Sequence, residues 1–242
     1  MQDDEVRAAI EIVKDITRPK LKSLRDARSL NVTGTYAVIV ADPPWSFGDK
    51  LAKMTKRVKR SAEANYDVMD VESIRALDVK SLSAKDCILA LWVPGTLLKQ
   101  GIDVLETWGF TLKQTYNWVK LNKQARTRVV EGLDFDTITD FGMGRLFRQT
   151  HELALIGTRG SMYDQLANKS QRSTSFDLNG GHSTKPEKLQ NSLDIMFPNA
   201  KKLEMFARRE RSGWTCIGNG IDGLDIVNAI ERLKHGKNEE VR

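Results

Sequence analysis

Four consecutive residues, Asp42-Pro43-Pro44-Trp45, set a carboxylate, two rigid imino acids and a large aromatic directly after the apolar run YAVIVA at 36–41. The prolines fix φ at two successive positions, hold the chain extended and remove two backbone donors, leaving carbonyls that can accept hydrogen bonds from a ligand. A planar base carrying an exocyclic amine suits this set. Asp42 would accept one N–H, the Pro43 carbonyl the other, and Trp45 would cover the ring. Such an amine is a poor nucleophile because its lone pair is delocalised into the ring. Two acceptors that hold both hydrogens favour a more pyramidal nitrogen and expose the lone pair to an electrophile, which is positioning combined with electrostatic preorganisation. Stacking on an aromatic is worth about 1–3 kcal/mol per base, enough to offset much of the cost of unstacking it. The competing reading is a strand-ending turn with Trp45 in the core. The motif's place immediately after a strand that reads as buried weighs toward a site.

The elements that position this motif follow from hydrophobic patterning. YAVIVA is short, continuously apolar and rich in β-branched residues, as a strand covered on both faces should be. Further strands are expected at 87–93 (CILALWV), 111–120, 151–158 (HELALIGT), 201–207 (KKLEMFA) and 214–218 (WTCIG). Helices are expected between them at roughly 71–78, 95–107, 185–197 and 223–234; Leu189, Leu193, Met196 and Phe197 form a helical stripe in the third. Alternating strands and helices predict a mostly parallel α/β sheet, whose carboxyl edge is where ligands bind. An amphipathic helix is expected over 4–16, from Val6, Ala9, Ile10, Val13 and Ile16.

Three polar stretches, at about 46–65, 121–149 and 160–183, exceed ordinary loop lengths, and such loops tend to carry function. Between residues 50 and 60 lie Lys50, Lys53, Lys56, Arg57, Lys59 and Arg60 with no acidic residue. The second stretch has Lys123, Arg126, Arg128, Arg145 and Arg148 diluted by Glu131, Asp134, Asp136 and Asp140, with Lys120 just before it. The 242 residues carry a formal charge of +6, which weakly favours a polyanionic partner. No apolar run approaches the ~20 residues of a membrane span, and the charged opening MQDDEVRAAIEIVKD does not resemble a signal peptide, so a soluble cytoplasmic protein is expected. Cys87 and Cys216 sit in apolar runs without neighbouring Cys or His, which predicts buried free thiols and no zinc site.

YAVIVADPPW, followed by Tyr66-Asp67-Val68-Met69, resembles the MT-A70 family of S-adenosylmethionine-dependent adenine N6-methyltransferases. The likeness continues through LALWVPG (89–95), WGF (108–110), NWVK (117–120), HELALIGTRG (151–160), HSTKP (182–186) and LEMFARRERSGWTCIGNGIDG (203–223). It implies a Rossmann-like methyltransferase fold with helices on both faces of the sheet and the catalytic motif N-terminal to the main cofactor-binding strand. Residues 31–242 would form that single domain, with 1–30 a helical extension. The resemblance makes Asp42, Pro43, Pro44 and Trp45 the catalytic site. It assigns Phe206, Arg208, Asn219 and Gly220 to the methyl donor, with Asp42, Glu204, Arg159 and His182 beside them. Tyr66 and Lys185 fall near the base, and the loop residues Lys53, Lys56, Arg57, Lys59 and Arg60 are read as contacts to nucleic acid, DNA ahead of RNA. A monomer or a homodimer fits.

Other signals weigh less. Gly218 to Gly223 fit G-x-G-x-x-G, but the chain ends one helix later, short of the acidic strand end that a dinucleotide fold needs. Asn219 serving the donor is the better reading of that turn. Trp92, Trp108, Trp118 and Trp214 read as core or pocket walls. The competing functions are an RNA adenine methyltransferase, a non-catalytic nucleic-acid-binding subunit of the same fold and, third, a small-molecule methyltransferase.

Overall fold

The computed structural model describes residues 35–46, 68–123, 125, 138–141, 146–179 and 185–239. The expected helix at 4–16, the extension 1–30 and the basic loop 50–60 lie outside the described residues. Seven strands form one sheet: β1 (Tyr36–Ala41), β2 (Ser83–Val93), β3 (Thr111–Leu121), β4 (His151–Arg159), β5 (Thr174–Leu178), β6 (Lys202–Met205) and β7 (Thr215–Ile217). Their spatial order is β5-β3-β4-β2-β1-β6-β7. β4 runs antiparallel to both β2 and β3, and every other pairing is parallel. Six strands therefore end at one edge, and the antiparallel β4 begins there. β1, which leads into Asp42, precedes its neighbour β6 in the chain.

Period-two alternation sorts side chains onto two faces. Ile39, Ala41, Leu89, Leu91 and Val93 join one core cluster, while Val38, Val40, Ile88, Ala90 and Trp92 join the other. The first face is covered by α1 (Val71–Arg75), α3 (Leu98–Thr107) and α5 (Ile226–Glu239) through Ile74, Val104, Leu105, Ile226, Ala229 and Ile230. The second is covered by α4 (Lys188–Met196) through Leu189 and Leu193. This is an α/β Rossmann-like sheet with helices on both faces, and no helix among the described residues is long and apolar enough to cross a membrane.

The differences from expectation have local causes. The helix expected at 71–78 ends at Arg75, and a second short helix, α2 (Val79–Leu82), starts just beyond it, because Asp70 and Asp78 each cap a separate start, accepting from Ser73 N and Ser81 N. β5 falls inside the stretch 160–183 read as polar loop. Its pattern is inverted for a strand: Ser175 is 5% exposed and Phe176 51%, so hydropathy gave no sign of it. β6 ends two residues earlier than expected because Phe206 turns to φ 62°. Both cysteines are free, as expected; Cys87 is buried but Cys216 is only half-buried.

Candidate active site

Asp42 leaves the carboxyl end of β1, and the residues after it form a tight structure. Trp45 N donates to the Pro43 carbonyl at 2.9 Å, Met69 N donates to the Pro44 carbonyl at 2.8 Å, and Ser46 N donates to the Met69 carbonyl at 2.9 Å. Each proline carbonyl thus has one lone pair engaged and one left for a ligand. The Trp45 indole Nε1 donates to the Trp92 carbonyl at 2.9 Å, and the ring is 5% exposed within the core. Trp45, expected to stack on a base, is thus packed into the core beside the motif. It ties the end of β1 to the end of β2 and holds the two prolines in place.

Asp42 meets a cation that crosses from the segment before α4. Lys185 Nζ donates to Asp42 Oδ1 at 3.0 Å and Oδ2 at 2.9 Å. The same ammonium lies 3.1 Å from Glu152 Oε2, and Lys120 Nζ lies 2.6 Å from Glu152 Oε1. Asp42, Lys185, Glu152 and Lys120 therefore alternate in sign along the carboxyl edge. Trp92 and Trp118 lie under the two ammoniums at 5.5 and 5.3 Å, within cation–π range. Burial weighs against the charged form of Lys185, but the Asp42 and Glu152 carboxylates outweigh it and raise its pKa above the ordinary lysine value. For Glu152, burial pushes upward, and the ammoniums of Lys185 and Lys120 together bring the carboxyl below its usual range. Glu152 and Lys120 were not read as site residues. The available signal was a carboxylate heading the apolar run ELALIG, since a charge in such a run needs a partner.

β6 and β7 lie beside β1 and carry the residues expected to hold the methyl donor. Glu204 pairs in register with Val40, and Met205 with Ala41, one residue before Asp42. The turn after β6 and the turn after β7 approach backbone to backbone. A Cβ on Gly218 would sit 2.7 Å from the Ala207 carbonyl oxygen, and one on Gly220 would sit 2.8 Å from the Arg208 Cα. Phe206, at φ 62°, adopts a left-handed conformation that costs a bulky residue about 1–3 kcal/mol. Arg208, Asn219 and Gly220 are exposed around this crossing. Arg211 belongs to its support: the guanidinium contacts Glu187, Asn191 and Asp194, tying the loop after β6 to α4. The glycine-closed crossing, the exposed Asn219 and the half-buried Glu204 carboxylate suit a ribose-bearing ligand.

Arg159, expected beside the donor, lies away from Asp42. It ends the antiparallel β4 and pairs in register with Cys87, while the site lies at the other end, where Leu153 pairs with Val93. Six residues of strand, roughly 20 Å, separate the two edges. Its guanidinium donates to the Lys80 carbonyl at 3.3 Å. Tyr66, His182 and the loop residues Lys53, Lys56, Arg57, Lys59 and Arg60 lie outside the described residues.

Residues 36–220 match the MT-A70 family profile. The chain belongs to the MT-A70 family. Methyltransferases of this family use S-adenosylmethionine. The chain is 28% identical to an N(6)-adenosine-methyltransferase MT-A70-like protein of Arabidopsis thaliana, over 84% of this chain and 26% of that protein. It is also 28% identical to the type II methyltransferase M.MunI of a Mycoplasma species, over 85% of this chain and 84% of that protein. Against the human N(6)-adenosine-methyltransferase catalytic subunit METTL3 the identity is 26%, over 86% of this chain and 33% of that protein. The chain thus spans about a quarter to a third of these plant and human relatives and most of the Mycoplasma one.

Proposed function

We propose that this protein is an adenine N6-methyltransferase that uses S-adenosylmethionine and acts on DNA. The observation that carries the reading is Asp42, fixed by Lys185 at the carboxyl edge, one strand from the glycine-closed crossing of the β6 and β7 turns. Phe206, Arg208, Asn219, Gly220 and Glu204 would hold the donor, which supplies an electrophilic methyl group on a sulfonium.

The chain's own residues prepare the amine. A carboxylate offers about four lone-pair positions, and Lys185 engages one on each oxygen, so Asp42 can still accept an amine N–H. The free lone pair of the Pro43 carbonyl takes the second hydrogen. Trp45, buried and bonded to Trp92, prevents the two acceptors from drifting. The target base must be taken out of its stack to reach this edge. The basic residues Lys53, Lys56, Arg57, Lys59 and Arg60 follow the motif in sequence and supply charge for the phosphates.

The near-complete overlap with a type II methyltransferase supports the DNA reading. The names of the relatives called adenosine methyltransferases favour a second one, in which the acceptor is a ribonucleotide. A non-catalytic role is disfavoured because the Asp42 constellation is intact. Asp42→Asn should abolish methyl transfer to oligonucleotides while donor binding, which Phe206, Arg208, Asn219, Gly220 and Glu204 also support, largely survives. Turnover that survives this change would exclude the mechanism. Competition between matched DNA and RNA oligonucleotides for the wild-type protein decides the acceptor.

A further inference from the structure

One short segment touches both sides of the site. Lys185, at its start, holds Asp42 on β1; Gln190, five residues later on α4, donates through Nε2 to Glu204 Oε1 on the neighbouring strand β6 at 3.1 Å. Gln190 is 6% exposed, although it is a polar residue on the face of α4 that packs on the sheet. Its own Oε1 is buried without a partner, so the amide is held in place for its N–H at the expense of its carbonyl. No other hydrogen bond to the Glu204 carboxylate is present among the described residues.

We propose that Gln190 is a positioning residue for the methyl donor, fixing the Glu204 carboxylate to accept hydroxyl hydrogens of the donor's ribose. This rests on the reading of the site as a methyltransferase centre. A carboxylate on a two-methylene stem otherwise rotates, and fixing one oxygen directs the other. Pro186 and the first turn of α4 keep Lys185 and Gln190 at constant spacing, so the acceptor's carboxylate and the donor's carboxylate are set by one rigid piece of chain. The environment of Glu204 agrees. Burial raises its pKa, Asp42 adds to the rise, and the Gln190 N–H, Arg211 and Arg209 oppose it. Removing the amide hydrogen therefore pushes the carboxyl up further and turns an acceptor pair into a hydroxyl at a higher pH.

Titration calorimetry with S-adenosylmethionine, without nucleic acid, tests this directly. Gln190→Leu should weaken donor affinity about tenfold, the size of one lost hydrogen bond to a charged group. Turnover at saturating donor and the KM for the oligonucleotide should stay within about twofold. The pH below which donor affinity falls should move upward. Gln190→His, which restores an N–H, should recover part of the affinity. The double variant Gln190→Leu/Glu204→Gln should lose no more than Glu204→Gln alone, because both act through one carboxylate. Melting curves establish that each variant is folded, and Gln190→Met replaces Gln190→Leu if that variant is not. Unchanged affinity in a folded variant, or additive losses, would overturn the inference. A wild-type protein that binds no donor would instead remove the methyltransferase reading beneath it.

Discussion

Replacing Lys185 by methionine keeps the unbranched four-atom stem and removes the ammonium shared by Asp42 and Glu152. Losing one member of a fully buried ion pair costs about 3–5 kcal/mol, because the remaining charge is left uncompensated. Here the three side chains are 18%, 30% and 28% exposed, and Lys120 still neutralises Glu152, so water and Lys120 absorb part of the loss. The expected cost is about 1–3 kcal/mol at neutral pH, read from urea unfolding, with methyl transfer lost alongside it. The pH dependence is the sharper readout. Glu152 sits below its usual pKa when folded, so its contribution is present above the ordinary carboxylate value and disappears as pH falls through the lowered one. Lys185 is raised above 10.5, so its contribution is complete below that value and is lost only as pH rises through the raised one. The stability difference between wild type and Lys185→Met should be flat through neutrality and shrink at both extremes. Equal stability at pH 7, or a difference that does not shrink on the acid side, would refute the network.

Three further outcomes follow from the geometry. Gly220→Ala puts a methyl 2.8 Å from the Arg208 Cα, so it should cost about 1–3 kcal/mol in thermal unfolding and weaken donor binding, with the strained turn after β6 forced to move. Arg159→Ala should leave the donor KM within about twofold, because the side chain lies at the opposite edge; a tenfold rise would reinstate it in the donor site. Burial pushes the Cys87 thiol up to about 12, so iodoacetamide at pH 8 should leave it unmodified in the native protein and label it in urea, as read by peptide mass mapping.

The positions of most strands were legible because their signal is apolar continuity: CILALWV and HELALIGT lie inside β2 and β4, and YAVIVA coincides with β1. Direction was not legible. Nothing in HELALIGT distinguishes an antiparallel strand, and that direction puts Glu152 at the site and Arg159 far from it. β5 escaped because it buries Ser175 and exposes Phe176 at the sheet's edge. Asp42 was identifiable from its neighbours and Lys185 from its own motif, but the ion pair between them, 143 positions apart, is visible only in the fold. For Trp45, an aromatic beside a carboxylate suggests stacking, and only the fold shows the indole donating its N–H to the Trp92 carbonyl and packing into the core.

The central claim is that Asp42 and Pro43 present an adenine amine to a methyl donor. Incubating the protein with isotopically labelled S-adenosylmethionine and matched DNA and RNA oligonucleotides, followed by digestion to nucleosides and mass spectrometry, tests it most directly. The account predicts label in N6-methyldeoxyadenosine, with none in the Asp42→Asn variant. Label on a ring nitrogen, on cytosine or on the protein alone would contradict it.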